Sequence, residues 1–260
     1  MENTPEGLAK QYKTAANLDA RIQLHERFST NKYDWPLWVF DQFALPADAK
    51  ILEIGCGTGK LWQMNLDRIP AGWTITLSDQ SPGMLQQAQQ NLGDQATRFR
   101  FTQLDAQNIL FDKDAFDAVI ANHMLYHVPD LAKALDEIRR VLKPNGRLYA
   151  ATNGKLHMQA LRDLVVAFEP SAYAWREQTH FTLEDGARWL APYFTQVELR
   201  RFESDLLVTE VAPLVDYVLS MHEISPARAA EFTKFVEAQL RTHDGALRIQ
   251  RAAGLFCAVK

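Results

Sequence analysis

The segment ILEIGCGTG at residues 51–59 constrains this chain more than any other. An apolar run of strand length is followed by glycines at 55, 57 and 59, every second position. Glycine has no Cβ and tolerates positive φ, so the backbone can turn sharply there and approach a ligand closely. A helix is expected to begin near Lys60. A strand feeding a glycine-rich turn and a helix is how open α/β sheets build a nucleotide-sized crevice at the carboxyl ends of their strands. The spacing disfavours a nicotinamide cofactor. G-x-G-x-x-G would place the third glycine at Lys60, and here it falls at Gly59. Taken alone, these nine residues also fit a tight turn with no ligand.

The chain continues the alternation. Residues 73–78 read as a strand ending at Asp79, and Ser81 and Pro82 open a helix to about Leu92, as N-cap and first helical residue. A strand over 98–104 ends at Asp105, and one over 116–121 ends at Asn122 and His123. Asp130 caps a helix to Leu142 with Leu131, Leu135, Ile138 and Leu142 on one face. The KPNG run at 143–146 stops it, and 147–152 is the next strand. Such alternation predicts a doubly wound, mostly parallel sheet with right-handed crossovers.

Outside this core the pattern predicts amphipathic helices over 15–28 and from Asp34 onward, the second carrying Trp35, Trp38 and Phe43. Further helices are expected over 155–168, from Thr182 or Glu184 to about 190, over 210–220 and over 226–240. Strands are expected at 194–202, extended by 206–208, and at 254–260. The expected organisation is one domain. A helical cap at 1–45 precedes a core at 46–154. Cap insertions lie at 155–190 and 210–245, and core strands return at 191–209 and 246–260.

Composition narrows the function classes. With 260 residues, 47% hydrophobic and 23% charged, the chain has the profile of a globular domain. No run of ~18 apolar residues exists, so no membrane span is expected. Residues 1–11 are polar and lack the apolar centre of a signal peptide, so the expected location is cytoplasmic. A net charge of −4 with no long basic run argues against nucleic acid as a partner. Cys56 and Cys257 cannot build a disulfide framework and lack metal-ligand spacing. Both are expected to be small buried thiols, and no metal is expected.

The ends of three consecutive strands carry the glycine loop, Asp79 and Asp105. Asp79 lies 20 residues beyond Gly59, room for one helix and one strand. A carboxylate accepts hydrogen bonds from both hydroxyls of a ribose. Each aspartate alone would pass for a turn former; three together mark a ligand site.

On these residues the chain resembles the class I S-adenosyl-L-methionine-dependent methyltransferases that act on small molecules, of the type 11/25 kind. The resemblance rests on 51–59, on LSDQSPGML at 77–85, on LDA at 104–106, on FDAVI at 116–120 and on LDEIRRVLKPNGR at 135–147. These run in order over about 50–152. It implies a seven-stranded Rossmann-like mixed sheet with an antiparallel last strand, a lid from the cap segments, and S-adenosyl-L-methionine as cofactor with S-adenosyl-L-homocysteine as product. Carried over residue by residue, it assigns Gly55, Cys56, Gly57 and Gly59 to the loop around the methionine and ribose portions, with Glu53 orienting the loop or approaching the amino group. Asp79 takes the ribose hydroxyls, Gln80 and Met84 flank the adenosine, and Asp105 accepts from the adenine amino group beside Ala106. Asn122 and His123 fall where methyl and acceptor meet, and His123 is the candidate general base, because imidazole titrates near neutrality. His127 is expected to pack, while Tyr33, His25 and His180 are secondary candidates from the cap.

The chain lacks the N/D-P-P-Y/F tetrapeptide after the fourth strand, which disfavours a nucleic-acid or protein amide acceptor. Aromatic residues outside the sheet, among them Trp35, Trp38, Tyr173 and Trp175, fit a small, partly apolar molecule. The expected function is methyl transfer to a small-molecule acceptor. A non-catalytic cofactor-binding protein is the first alternative and a nicotinamide-dependent oxidoreductase the second. Oligomeric state is left open.

Overall fold

The apolar runs of the core become strands because each can bury side chains on both faces of a sheet. In the computed structural model the described residues are 23–172, 180–221 and 224–260. The expected helical residues 15–22 and the aromatic residues Tyr173 and Trp175 lie outside them. Seven strands form one sheet: β1 (Lys50–Ile54), β2 (Thr74–Asp79), β3 (Phe99–Gln103), β4 (Phe116–Asn122), β5 (Leu142–Asn153), β6 (Thr195–Val208) and β7 (Leu247–Val259). Their order is β3-β2-β1-β4-β5-β7-β6. β1 runs parallel to β2 and β4, β2 to β3, and β4 to β5. β7 is antiparallel to β5, with Arg147 opposite Val259 and Asn153 opposite Ala253. This is the expected mixed sheet. Its order reverses between β1 and β4, where open sheets of this class place a ligand crevice.

Among the described residues, 23–28 are helical, and further helices are α1 (Trp35–Asp41), α2 (Lys60–Gln63), α3 (Pro82–Leu92), α4 (Leu131–Val141), α5 (Gln159–Phe168), α6 (Gly186–Leu190), α7 (Val211–Ser220) and α8 (Ala229–Thr242). Ser81 caps α3 as expected, its hydroxyl accepting from Met84 N at 3.4 Å with Pro82 in the first turn. Asp130 caps α4, accepting from Lys133 N at 3.0 Å. Among the described residues no helix is long and apolar enough to cross a membrane.

The chain divides into two compact units. The sheet unit comprises 33–155, 179–202 and 253–260, and the helical unit 1–32, 156–178 and 203–252. The sheet unit's core includes Val39, Ile51, Trp62, Leu77, Ile120 and Tyr149. The helical unit's includes Leu24, Leu161, Val218, Phe232, Val236 and Ile249. There Phe168 packs edge-on against Phe232 at 5.0 Å and takes the Arg228 guanidinium over its face at 4.3 Å.

Four local expectations are corrected. KPNG stops α4 as expected, but it belongs to β5, which begins at Leu142 rather than at Arg147. Leu142 pairs with Phe116, the register then shifts, and pairing resumes at Ala118 and Arg147. Asn145 takes φ 63° within the interruption, and Lys143 Nζ bonds the Asp117 carboxylate at 2.8 Å. α5 begins at Gln159 rather than Lys155, after Met158 in the left-handed region at φ 59°. The helix expected from Thr182 or Glu184 is only α6, because the Asp185 carboxylate accepts from Thr182 N at 2.7 Å and holds a turn there. β6 runs unbroken through the expected 194–202 and its extension at 206–208, whereas β7 starts seven residues before the expected 254.

Candidate functional site

At the carboxyl end of β1 the chain turns through Gly55, Gly57 and Gly59 with φ of 67°, 54° and 73°. Two of these glycines are required for different reasons. A Cβ on Gly55 would stand 2.9 Å from the Met124 Cβ, closer than side-chain atoms approach. A Cβ on Gly57 would meet nothing within 4 Å, so there the loop backbone borders open space. Cys56 N donates to Ser78 O at 2.9 Å, tying the loop to β2. The Cys56 side chain is buried, and burial pushes its thiol well above the ordinary range. That removes it as a nucleophile.

Glu53 is the next-to-last residue of β1, and it is 2% exposed. Trp62 Nε1 donates to it at 2.6 Å and Asn122 Nδ2 at 3.3 Å. Burial raises its pKa to about 7; the Trp62 and Asn122 donors oppose the rise and the Asp79 charge adds to it. Asn122 Oδ1 is itself buried with no hydrogen-bond partner among the described residues. One end of the crevice thus holds a half-satisfied polar pair, unusual enough in a folded interior to need a reason.

Asp79 ends β2 and closes the loop from the other side. Its carboxylate accepts from Gly57 N at 3.0 Å and from Ser81 N at 2.9 Å. Burial raises its pKa, while the N–H groups of Ser81, Gly57 and Gln80 hold the rise back. Gln80 is exposed, its carbonyl taking Gln103 Nε2 at 2.9 Å, and Met84 is half-buried in the first turn of α3. Leu104 N donates to Asp79 O at 3.1 Å, bringing the next strand end alongside. Asp105 accepts from Gln107 N at 2.9 Å and Gln107 Nε2 at 3.2 Å, and Ala106 beside it is buried. Gln107 Oε1 in turn accepts from Asp130 N at 3.1 Å, fixing this turn to the start of α4.

After β4, His123 adopts φ 52°, the left-handed region that a non-glycine residue enters at a cost. Its N–H donates to Ala151 O at 3.1 Å. Its ring lies 5.1 Å from Trp35 and 6.4 Å from Tyr126, and Trp35 also packs on Trp38 at 5.2 Å and Phe202 at 5.3 Å. His127 lies against Tyr126 at 4.5 Å, and burial lowers its pKa to about 4, so it stays neutral.

Hydrogen bonds therefore join Glu53, the glycine loop, Asp79 and Asn122, with His123 adjoining in sequence and Asp105 one strand away. Tyr33 is exposed and donates to Asp41, His180 is exposed, and His25 packs against Tyr217 at 5.9 Å in the helical unit. Three contributors escape a sequence reading: Trp62 on Glu53, Met124 over Gly55, and Gln107 on Asp105. Each is apolar or amide in type and acts through a contact between elements, which spacing does not encode.

Known proteins resemble this chain in sequence and in fold. Residues 52–150 match a family model described as "Methyltransferase domain". The chain is 30% identical over 169 residues to the demethylmenaquinone methyltransferase of Lactiplantibacillus plantarum, covering 61% of this chain and 71% of that protein. It is 30% identical over 130 residues to the ubiquinone/menaquinone biosynthesis C-methyltransferase UbiE of Methylococcus capsulatus, covering 49% of this chain and 52% of that one. The chain spans about half the length of the UbiE relatives it matches, 52% and 46%. In structure it resembles the phosphoethanolamine N-methyltransferase 2 of Haemonchus contortus, solved in complex with S-adenosyl-L-methionine. The TM-score is 0.63 at 18% identity, covering 98% of this chain and 59% of that one. At that identity the likeness is one of fold.

Proposed function

The chain belongs to the class I S-adenosyl-L-methionine-dependent methyltransferases, and from that premise we propose that it transfers a methyl group to a small-molecule acceptor by in-line displacement. The cofactor is S-adenosyl-L-methionine. The observation that carries the reading is the bridge from Gly57 N–H to the Asp79 carboxylate, which sets an acidic acceptor against a glycine loop bordering open space. The half-satisfied Glu53–Asn122 pair at the other end of the loop suits a ligand with a donor group, such as an amino acid ammonium. The residues present fit the cofactor.

The cofactor, when bound, supplies a methyl already activated by a positive sulfur, so no metal or strong nucleophile is needed. The chain's part is then mainly proximity and alignment. Gly55, Cys56, Gly57 and Gly59 would hold the methionine and ribose portions through backbone groups, with Glu53 and Asn122 at the amino group. Asp79 would take the ribose hydroxyls through its carboxylate, and Gln80 and Met84 would flank the adenosine. Asp105 would accept from the adenine amino group beside Ala106. His123 would remove the proton from an acceptor that arrives as a hydroxyl. Trp35 beside His123, with Trp38 and Phe202 packed on Trp35, favours a partly apolar acceptor.

Asp79→Ala tests the carrying observation. Losing a charge-assisted acceptor costs ~1.5–3 kcal/mol, roughly ten- to hundredfold in affinity. Calorimetric titration with S-adenosyl-L-homocysteine should show that loss in a variant whose circular dichroism is unchanged, and NAD should give no heat with either protein. Equal affinity in the folded variant would remove Asp79 from the site; binding of NAD alone would overturn the reading.

A further inference from the structure

After β3 the chain turns back within four residues, with Asn108 N donating to Asp105 O at 2.9 Å. Inside this turn Asp105 Oδ1 accepts from Gln107 N at 2.9 Å, the bond an aspartate commonly makes to the backbone two residues on. Any residue except proline at 107 would supply that N–H. The Gln107 side chain adds bonds that only some residues can make. Its Nε2 donates to Asp105 Oδ1 at 3.2 Å and to Oδ2 at 3.4 Å, while its Oε1 accepts from Asp130 N at 3.1 Å. Asp130 is the N-cap of α4. α4 holds the following residues as well: the Glu137 carboxylate accepts from Ile109 N at 2.8 Å, and Arg140 donates to Ile109 O at 2.6 Å.

This double bonding needs an amide. A lysine only donates and an ionised glutamate only accepts, whereas glutamine carries a donor and an acceptor on separate atoms. The bonds also act on a torsion that the aspartate does not fix for itself. Rotation of a carboxylate about χ2 is broad, so its plane is set by its partners. Here the partners are uneven. Oδ1 takes two donors, at 2.9 and 3.2 Å, and Oδ2 takes one at 3.4 Å, beyond the usual range. Oδ1 is thereby held in the turn, and Oδ2 keeps acceptor capacity for a ligand.

We propose that Gln107 is a positioning residue for purine specificity: by fixing the Asp105 carboxylate with Oδ2 as its available acceptor, it makes the site favour a 6-amino over a 6-oxo purine. The inference rests on the reading that Asp105 meets the adenine amino group. An acceptor held for an N–H rejects an analogue that presents an oxygen there, because two acceptors are then opposed.

The test is calorimetric titration of the full chain with S-adenosyl-L-homocysteine and with S-inosyl-L-homocysteine, its 6-oxo analogue. The wild-type protein should prefer the adenosyl compound by at least about tenfold, and Gln107→Met, which keeps the length and gives up both side-chain bonds, should cut that preference to about threefold or less. If Gln107→Met fails to fold, Gln107→Glu, which keeps the acceptor for Asp130 N and loses the donor to Asp105, makes the same comparison. A role confined to holding the turn would weaken both ligands alike. An unchanged preference in a folded Gln107 variant, where Asp105→Ala does abolish it, overturns the proposal alone. A preference unmoved by Asp105→Ala, or none in the wild-type protein, overturns the reading of Asp105 and the proposal with it.

Discussion

His123 holds a backbone conformation that its side chain disfavours, immediately after the strand whose end faces the glycine loop. Strain of this kind, of order 1–3 kcal/mol, collects at functional sites, where surrounding structure enforces it. Here the bond to Ala151 O and the packing on Trp35 enforce it. His127, four residues on, is the contrasting case, since burial keeps it neutral well below physiological pH and unable to cycle a proton at pH 7. The expectation separated the two by position alone, and the environment now supplies the reason. His123→Ala should leave affinity for S-adenosyl-L-homocysteine unchanged and lower turnover on a hydroxyl acceptor by about a hundredfold. The ratio of the two rates should shrink as pH rises and the acceptor ionises by itself. Wild-type turnover in a folded variant would retire His123 as the base.

At the level of elements, caps and turns were readable where their chemistry is local. Ser81 and Pro82 start α3, and Asp130 starts α4, where the sequence places them. KPNG ends α4 as its turn chemistry predicts, while its place in β5 depends on Leu142 finding Phe116 across the sheet. The same contrast predicts how two glycines behave. Gly83 lies in the first turn of α3, and a Cβ there would come no nearer than 3.7 Å to Ser81 Oγ. Gly186 opens α6 against β7, and a Cβ there would stand 2.4 Å from Phe256 Cε2. Gly83→Ala should therefore be neutral or stabilising by up to about 1 kcal/mol. Gly186→Ala should cost roughly 1–3 kcal/mol, since a buried ring must move. Urea midpoints at constant m-value measure both. An equal effect at the two positions would contradict the packing argument.

For the molecule as a whole, two buried groups give stability opposite dependences on pH. The Glu53 pKa is raised in the fold, so its contribution is complete below the unfolded value near 4.5 and is lost as pH rises through about 7. The His127 pKa is lowered, so its contribution is complete above 6.5 and is lost as pH falls toward 4. Glu53→Gln should remove the alkaline limb alone. The variant should exceed wild type by about 2–3 kcal/mol at pH 8 and by little at pH 5, in urea unfolding without ligand. A difference independent of pH would show that Glu53 does not titrate in this range.

The alternation of strands and helices, the glycine turn, the capped helices and the acids at the strand ends are all legible in the sequence. These follow from hydrophobic period, backbone freedom and side-chain capping, which act over a few residues. Packing between distant elements sets the place of KPNG within a strand, the bonds of Trp62 and Asn122 to Glu53, and the meeting of Ser204 with Ser29 and Arg251. Those contacts join residues up to 175 positions apart, from Ser29 to Ser204. Burial and dielectric at such meetings are properties of the packed chain, and no local pattern in the sequence carries them.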